Sequence, residues 1–532
     1  MPALLSPKSN AATAACVGVA VKPTDAAGVQ RLLDSHPPRT TFCFSPGLYR
    51  FGAPIVPKND QRLIADAPNT ILDGSKVVTG FVRSGSDFVA KGFLHGARLS
   101  SRNCIAPNSG CDTPQDVFLD GKPLRRVTAI GALQKGTFYE DFAANRLWLR
   151  DDPRGRLVEQ AYAPALVAAS SGGVTVDGFV VEEAATAAQL GAIEALNYAG
   201  KGWDIERNSV IHNHAAGIFV GPRDDGQGGS LVAHNVITGN GQEGIAGYGS
   251  GHLIADNEID YNNRVGYSCY WECGGAKFAG GPGLETQHLT VSGNNIHDNA
   301  GDGFWVDINS YDVTFASNRI RNNKQTLPSS AQQIGAGIFI EISDRAQVTG
   351  NDVEDNGPAG TSNDQASYYQ GAQVLISASA NVDVSSNTIV GAGGIGMLQQ
   401  DRFDACEFGA KHSTQYPDRT PVCPRRYRNH VIHWTHDNGF HDNVVTETQR
   451  PGYAEVAGLD CDLHDDAGAF SAKNANVYAG NTYHLPNVRG TYFSWNNVLN
   501  DARSWQSFGQ DAGSTFLHEL RMTTIVRRST AT

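Results

Sequence analysis

Long apolar runs are missing from this sequence. No stretch of its 532 residues approaches the ~20 apolar positions that a helix needs to cross a bilayer, so a helical membrane span is excluded. Positive charge is also short, with 42 Lys+Arg against 54 Asp+Glu and a net charge of −12. That balance argues against a general nucleic-acid binder, which presents a basic field. Charged residues make up only 18% and apolar residues 40%, a composition that can bury a core and is not that of a disordered chain. Methionine occurs three times, and the nine cysteines form no CxxC pair, which removes a zinc ribbon or a thioredoxin-type site. Segments with the 3.6-residue period of amphipathic helices are absent from most of the chain.

What is present is glycine, 59 residues of it, and a repeat. From residue 200 the pattern Asn-x-apolar-x-x-Asn recurs, beginning at Asn208, Asn235, Asn257, Asn294, Asn318 and Asn351, with shorter echoes at Asn387, Asn443 and Asn481. The full copies lie 27, 22, 37, 24 and 33 residues apart. A base period in the low twenties with insertions of varied length is the mark of a solenoid. Short β runs such as Gly217-Ile-Phe-Val, Gly303-Phe-Trp-Val-Asp-Ile and Gly337-Ile-Phe-Ile-Glu-Ile cannot bury themselves alone. Stacked as coils they can, with the asparagines satisfying backbone groups at the turns. The expected fold is all-β: a right-handed parallel β-helix.

The ends and one interruption complete the plan. Residues 1–79 are expected to hold the first coils and a capping helix, N-capped by Asp25 and apolar at Val29, Leu32 and Leu33. Residues 80–165 break the repeat with hairpin-like runs and read as a small inserted antiparallel β module. The helix proper then spans 166–500, and 501–532 form a C-terminal cap and tail. Cysteines that are near neighbours across short loops fit an oxidising compartment, with Cys406–Cys423, Cys16–Cys43 and Cys104–Cys111 as expected bonds and Cys269 and Cys273 ambiguous. The N-terminal stretch has no charged segment followed by an apolar one. The expectation is a secreted, extracellular or periplasmic protein whose signal has been removed.

The strand Thr41–Phe44 followed by Ser45-Pro-Gly-Leu-Tyr-Arg50 and Leu72-Asp-Gly-Ser75 resembles pectate-lyase-like β-helix proteins. Val117-Phe-Leu-Asp-Gly121 resembles the inserted module of several β-helix glycoside hydrolases. The segments Tyr270–Phe278, His297–Asn299, Phe304–Asp307 and Ile338–Glu341 are similar to bacterial extracellular β-helix repeat proteins of the carbohydrate-active kind. The resemblance implies an oligo- or polysaccharide substrate. It specifies fold more than chemistry.

Alternation along the strands gives an independent guide to chemistry. After Gly303, Phe304 and Val306 point inward, leaving Trp305 and Asp307 outward; after Gly337, Ile338 and Ile340 point inward, leaving Phe339 and Glu341 outward. Asp307 and Glu341 therefore share one slot in successive coils, about 4.8 Å apart at the backbone. The preceding coil starts at Gly266, so Tyr270 takes that slot and Glu272 falls two places further on. Like charges in one slot are unfavourable on a plain surface, and glycoside hydrolysis needs two carboxyl groups. Asp307 and Glu341 are thus the first candidates, with Glu272 as substitute. Trp271, Trp305 and Phe339 beside them suit a sugar ring, and His297 precedes the Asp307 strand in the same coil.

Lys277 supports a competing reading, a polysaccharide lyase or epimerase acting on an acidic glycan, with Arg402 in a basic insertion as a second cation. A third reading is a non-catalytic carbohydrate-binding solenoid. No metal site is expected from the histidine and aspartate spacings, and no cofactor, with Ca²⁺ entering only in the lyase case. Nothing in the sequence sets the oligomeric state.

Overall fold

The computed structural model describes residues 16–92, 103–105, 110–222, 229–280, 285–308, 310–326, 333–357, 372–391, 397–401, 435–448, 456–461, 470–471, 475–496 and 498–518. Arg402, Cys406 and Cys423 lie outside these residues. Three long sheets, of 13, 12 and 13 strands, wind around one apolar column. Pairing along each is parallel, save for the final hairpin Thr491–Trp495 with Val498–Asp501 in the twelve-stranded sheet. This is the parallel β-helix that the repeat demands.

The reason for the repeat is visible in two internal ladders. The first asparagine of each motif donates its side-chain N–H to the carbonyl of the next, from Asn208 through Asn235, Asn257, Asn294, Asn318, Asn351, Asn387 and Asn443 to Asn481. The second asparagine does the same from Asn213 through Asn240, Asn262, Asn299 and Asn323 to Asn356, where Gln373 continues the column. Each amide also takes a backbone N–H of the coil before it and donates to a backbone carbonyl of that same neighbouring coil, as Asn318 does for Asn294 and Val291. Buried turns are satisfied in this way by the side chains of the ladder. Between the ladders, Val210, Ile237, Ile259, Ile296, Ile320 and Val353 fill the core. Ile218, Phe304, Val306, Ile338 and Ile340 face inward as alternation requires.

The two ends are closed by helices. Asp25 accepts from Gly28 N at 2.8 Å to cap Ala26–Ser35, whose Val29 and Leu33 are buried over the first coil. Asp501 caps Ala502–Ser507, and Trp505 plugs the far end between Tyr478, Phe493 and Trp495. The chain leaves the coils at Ser75–Val77 and returns at Val158–Ala161, which pair antiparallel. The inserted module between them is a four-stranded and a five-stranded sheet around Val117, Phe138, Leu147 and Leu149. Disulfides join Cys16–Cys43, Cys104–Cys111 and Cys269–Cys273, the last across a tight turn in which Trp271 N and Glu272 N both donate to Ser268 O. No helix among the described residues is long and apolar enough to cross a membrane.

Candidate active site

The outward face of the twelve-stranded sheet carries a cluster of buried titratable side chains. Successive strands Glu243–Gly247, Gly274–Ala279, Asp302–Asp307 and Ile338–Glu341 set three rows of outward side chains. One row runs Ala246, Lys277, Trp305, Phe339, Leu375. A second begins Glu243, Gly274, Asp302. The third holds Ala279 and Asp307, and the register that sets Trp305 beside Phe339 places Glu341 next. Loop 261–273 crosses above and contributes Glu272.

Lys277 is the hub. Its ammonium lies 3.0 Å from Asp307 Oδ2, donates to the Trp271 carbonyl at 2.9 Å and sits 3.3 Å from the centre of the Trp305 ring. Burial alone would lower its pKa. The charges of Asp307, Glu272 and Glu341 outweigh that and hold it above its ordinary value, so the lysine stays protonated. Burial pushes Glu272 upward, with Asp307 adding to the effect and Lys277 and a hydrogen bond from Gln189 opposing it. Burial and then the nearby Glu272 drive Glu243 well above the usual carboxylate range. Asp302 is pushed up to about 7 by burial, against an N–H from Ala336 at 2.6 Å and the charge of Lys277. Both Glu243 oxygens and Trp305 Nε1 are buried without a hydrogen-bond partner.

This arrangement brings Asp307, Glu341, Glu272 and Lys277 together, and it corrects several expectations. The strand glycine of the preceding coil is Gly275, not Gly266. Residues 261–273 are an extra turn pinned by Cys269–Cys273, so Ala279 rather than Tyr270 stands beside Asp307, and Glu272 comes from above the sheet. Trp305 lies between the Lys277 ammonium and Phe339, whose ring stacks on it at 4.9 Å, which leaves neither face for a sugar. Phe339 is in turn packed with Leu375 and Ala372. Trp271 is half-buried against Tyr267 and serves the site through its carbonyl. His297 belongs to another sheet, where it pairs with Glu258 and with Asp298 at 2.7 Å. Its nearness in sequence to the Asp307 strand hides the corner between them.

Two acids escaped the sequence reading. Glu243 and Asp302 each precede a strand glycine, a place that reads as a turn. The recurring slot before Gly244, Gly275, Gly303 and Gly337 was the signal available, since it aligns them in one row.

The chain matches the right handed beta helix region family over residues 193–389. Among solved structures, the complex of XylC with xylose is 16% identical, with a TM-score of 0.63 over 92% of this chain and 83% of that one. The A-module of Azotobacter vinelandii mannuronan C-5 epimerase AlgE6 is 10% identical, with a TM-score of 0.43 over 94% and 97%. The catalytic unit of the GH87 alpha-1,3-glucanase from Streptomyces thermodiastaticus strain HF3-3 is 12% identical, with a TM-score of 0.42 over 96% and 72%. No curated protein sequence matches the chain. The likeness to XylC is one of fold.

Proposed function

We propose that this protein is a carbohydrate-active enzyme, a glycoside hydrolase of oligo- or polysaccharides working in an oxidising compartment. Asp307 is the carboxylate at the reacting carbon and Glu272 the proton donor. The observation that carries the reading is the Lys277-centred cluster. One carboxylate is ion-paired with a buried ammonium, while neighbouring carboxyls are driven by burial toward the neutral acid. Two carboxyl groups in unlike environments form the acid and nucleophile pair of glycoside hydrolysis. A protein of this fold has been solved with xylose.

In the first step an Asp307 oxygen bonds to the anomeric carbon as the glycosidic C–O bond breaks, and the leaving oxygen takes the Glu272 proton. Water, deprotonated by Glu272, then displaces Asp307. Lys277 pairs with Asp307 and orients it. A lyase or epimerase using Lys277 as its base would need the amine neutral, and the three acids around Lys277 oppose that role.

The test is turnover of a glycan and aryl-glycoside panel by wild type, Asp307→Asn and Glu272→Gln. Each variant is expected to lose roughly 10²–10⁴-fold in rate while staying folded. Azide added to Asp307→Ala should restore cleavage and yield a glycosyl azide. Normal turnover by both variants, or products bearing a new ultraviolet-absorbing double bond, would overturn the reading.

A further inference from the structure

A second cluster of acids lies far from Lys277, where the inserted module joins the coils. The chain leaves the helix through Asp73-Gly74-Ser75 and comes back through Glu159, while the next coil places Glu182 beside Asp73 and follows it with Glu183. Oxygens of Asp73, Glu159 and Glu183 all lie within 4.8 Å of one another, and the three residues are 3%, 4% and 3% exposed. Arg50 lies against the group, with Nη1 3.1 Å from Asp73 Oδ2 and Nη2 2.6 Å from Glu159 Oε1. The guanidinium thus pairs with two of the carboxyl groups. Glu183 Oε2 is buried without any hydrogen-bond partner. Its backbone is held in the left-handed region at φ 59°, and the Gly74 position is so tight that a Cβ there would meet Ala184 Cα at 2.8 Å.

We propose that Asp73, Glu159 and Glu183 form a binding site for a divalent cation, Ca²⁺ foremost, that fastens the inserted module to the coil stack. Three carboxyl groups converging in a buried place, with one oxygen unpartnered, are an arrangement that apolar surroundings penalise unless a cation is bound or a proton is taken up. The donors are all oxygen, which selects a hard ion over zinc or copper. Three separate pieces of chain meet at these ligands: the exit strand, the return strand and the following coil. Binding therefore favours the docked module over any opened form. The site has no part in the proposed hydrolysis and stands or falls independently of it.

The experiment uses the full chain, dialysed against chelator and titrated with Ca²⁺, Mg²⁺ or Mn²⁺ by calorimetry and by equilibrium dialysis. The expected result is one Ca²⁺ per chain, a raised melting temperature, and slower proteolytic cutting at the junctions of the module. Glu183→Gln should weaken Ca²⁺ at least tenfold, and Glu159→Gln should do likewise. Glu243→Gln, in the other cluster, should bind as wild type does. Glu183→Gln removes a buried repulsion and is expected to fold at least as well as the calcium-free wild type, which keeps the comparison sound. Absence of divalent-ion binding by wild type, or equal affinity in both cluster variants, would overturn the proposal.

Discussion

Glu243 shows how one buried side chain can oppose the fold that holds it. Its carboxyl is fully buried beside Glu272, and both effects raise its pKa well above the ordinary 4.5. A folded-state pKa above the unfolded one means that the native chain holds the proton more tightly. Stability is therefore full below about pH 4.5 and is lost as pH rises toward the folded value. Glu243→Gln removes this titration while keeping the shape. The variant should melt close to wild type at pH 4.5 and progressively above it toward pH 8, in scans at matched ionic strength. A gap that widened toward acid would contradict the sign. The same residue marks the limit of reading a site from sequence. Asp307 and Glu341 were legible because strand alternation fixes their side, whereas Lys277 stood out only as a basic residue in the segment of Glu272. Glu272 was legible as a residue but not as a position, because its loop displaces the register. Glu243 was missed because burial by overlying chain leaves no local trace in sequence.

At the scale of the element, the asparagine ladders carry the architecture, and they were the most legible feature of all. A side chain that must bond the coil before it, the coil after it and the backbone cannot vary, so the motif repeats in the sequence as it repeats in space. Insertions between coils are silent in this respect, and this is why the extra turn at 261–273 misled the alignment. Asn318 makes the point measurable. It accepts from Asn294 N and Nδ2, both at 3.0 Å, and donates to Val291 O and Asn351 Oδ1, both at 2.9 Å. Asn318→Ala strands buried donors and acceptors on both neighbouring coils. Each stranded group costs about 1–3 kcal/mol, so denaturant unfolding should show a loss of roughly 3 kcal/mol or more. Asn318→Asp should fail to rescue it, because a carboxylate accepts but cannot donate. An aspartate variant as stable as wild type would mean that the ladder is not the support described.

At the scale of the whole molecule, the inserted module and the candidate active site form one mechanical unit. The module reaches over the coils and grips loop 261–273. Ile105 N donates to Gly266 O at 2.9 Å, Ser268 N donates to Asn103 O at 2.7 Å, and Arg264 Nη2 lies 2.5 Å from Asp116. His214 adds a second contact to Asp116 at 3.2 Å and meets the Cys111 carbonyl at 3.0 Å. Glu272 and the Trp271 carbonyl that holds Lys277 sit on this same loop. Asp116 is fully buried, and burial would raise its pKa. The charges of Arg264 and His214 reverse that and hold it well below the usual carboxylate range. Its contribution to stability is thus present above about pH 3.8 and lost as pH falls further. Arg264→Ala leaves that carboxylate buried with its main partner gone, a change that costs about 3–5 kcal/mol in comparable cases. The loss should reach the chemistry, because the loop that positions Glu272 loses its anchor. Turnover is expected to fall at least tenfold, with faster hydrogen exchange confined to 261–273 and its contacts. Arg264→Ala combined with Asp116→Asn removes the stranded charge, and should recover much of the stability but little of the rate. That split between restored stability and unrestored rate distinguishes a positioning role from a purely structural one. If the double variant regained turnover in step with stability, the module would be a stabilising ornament and the loop would find its place unaided.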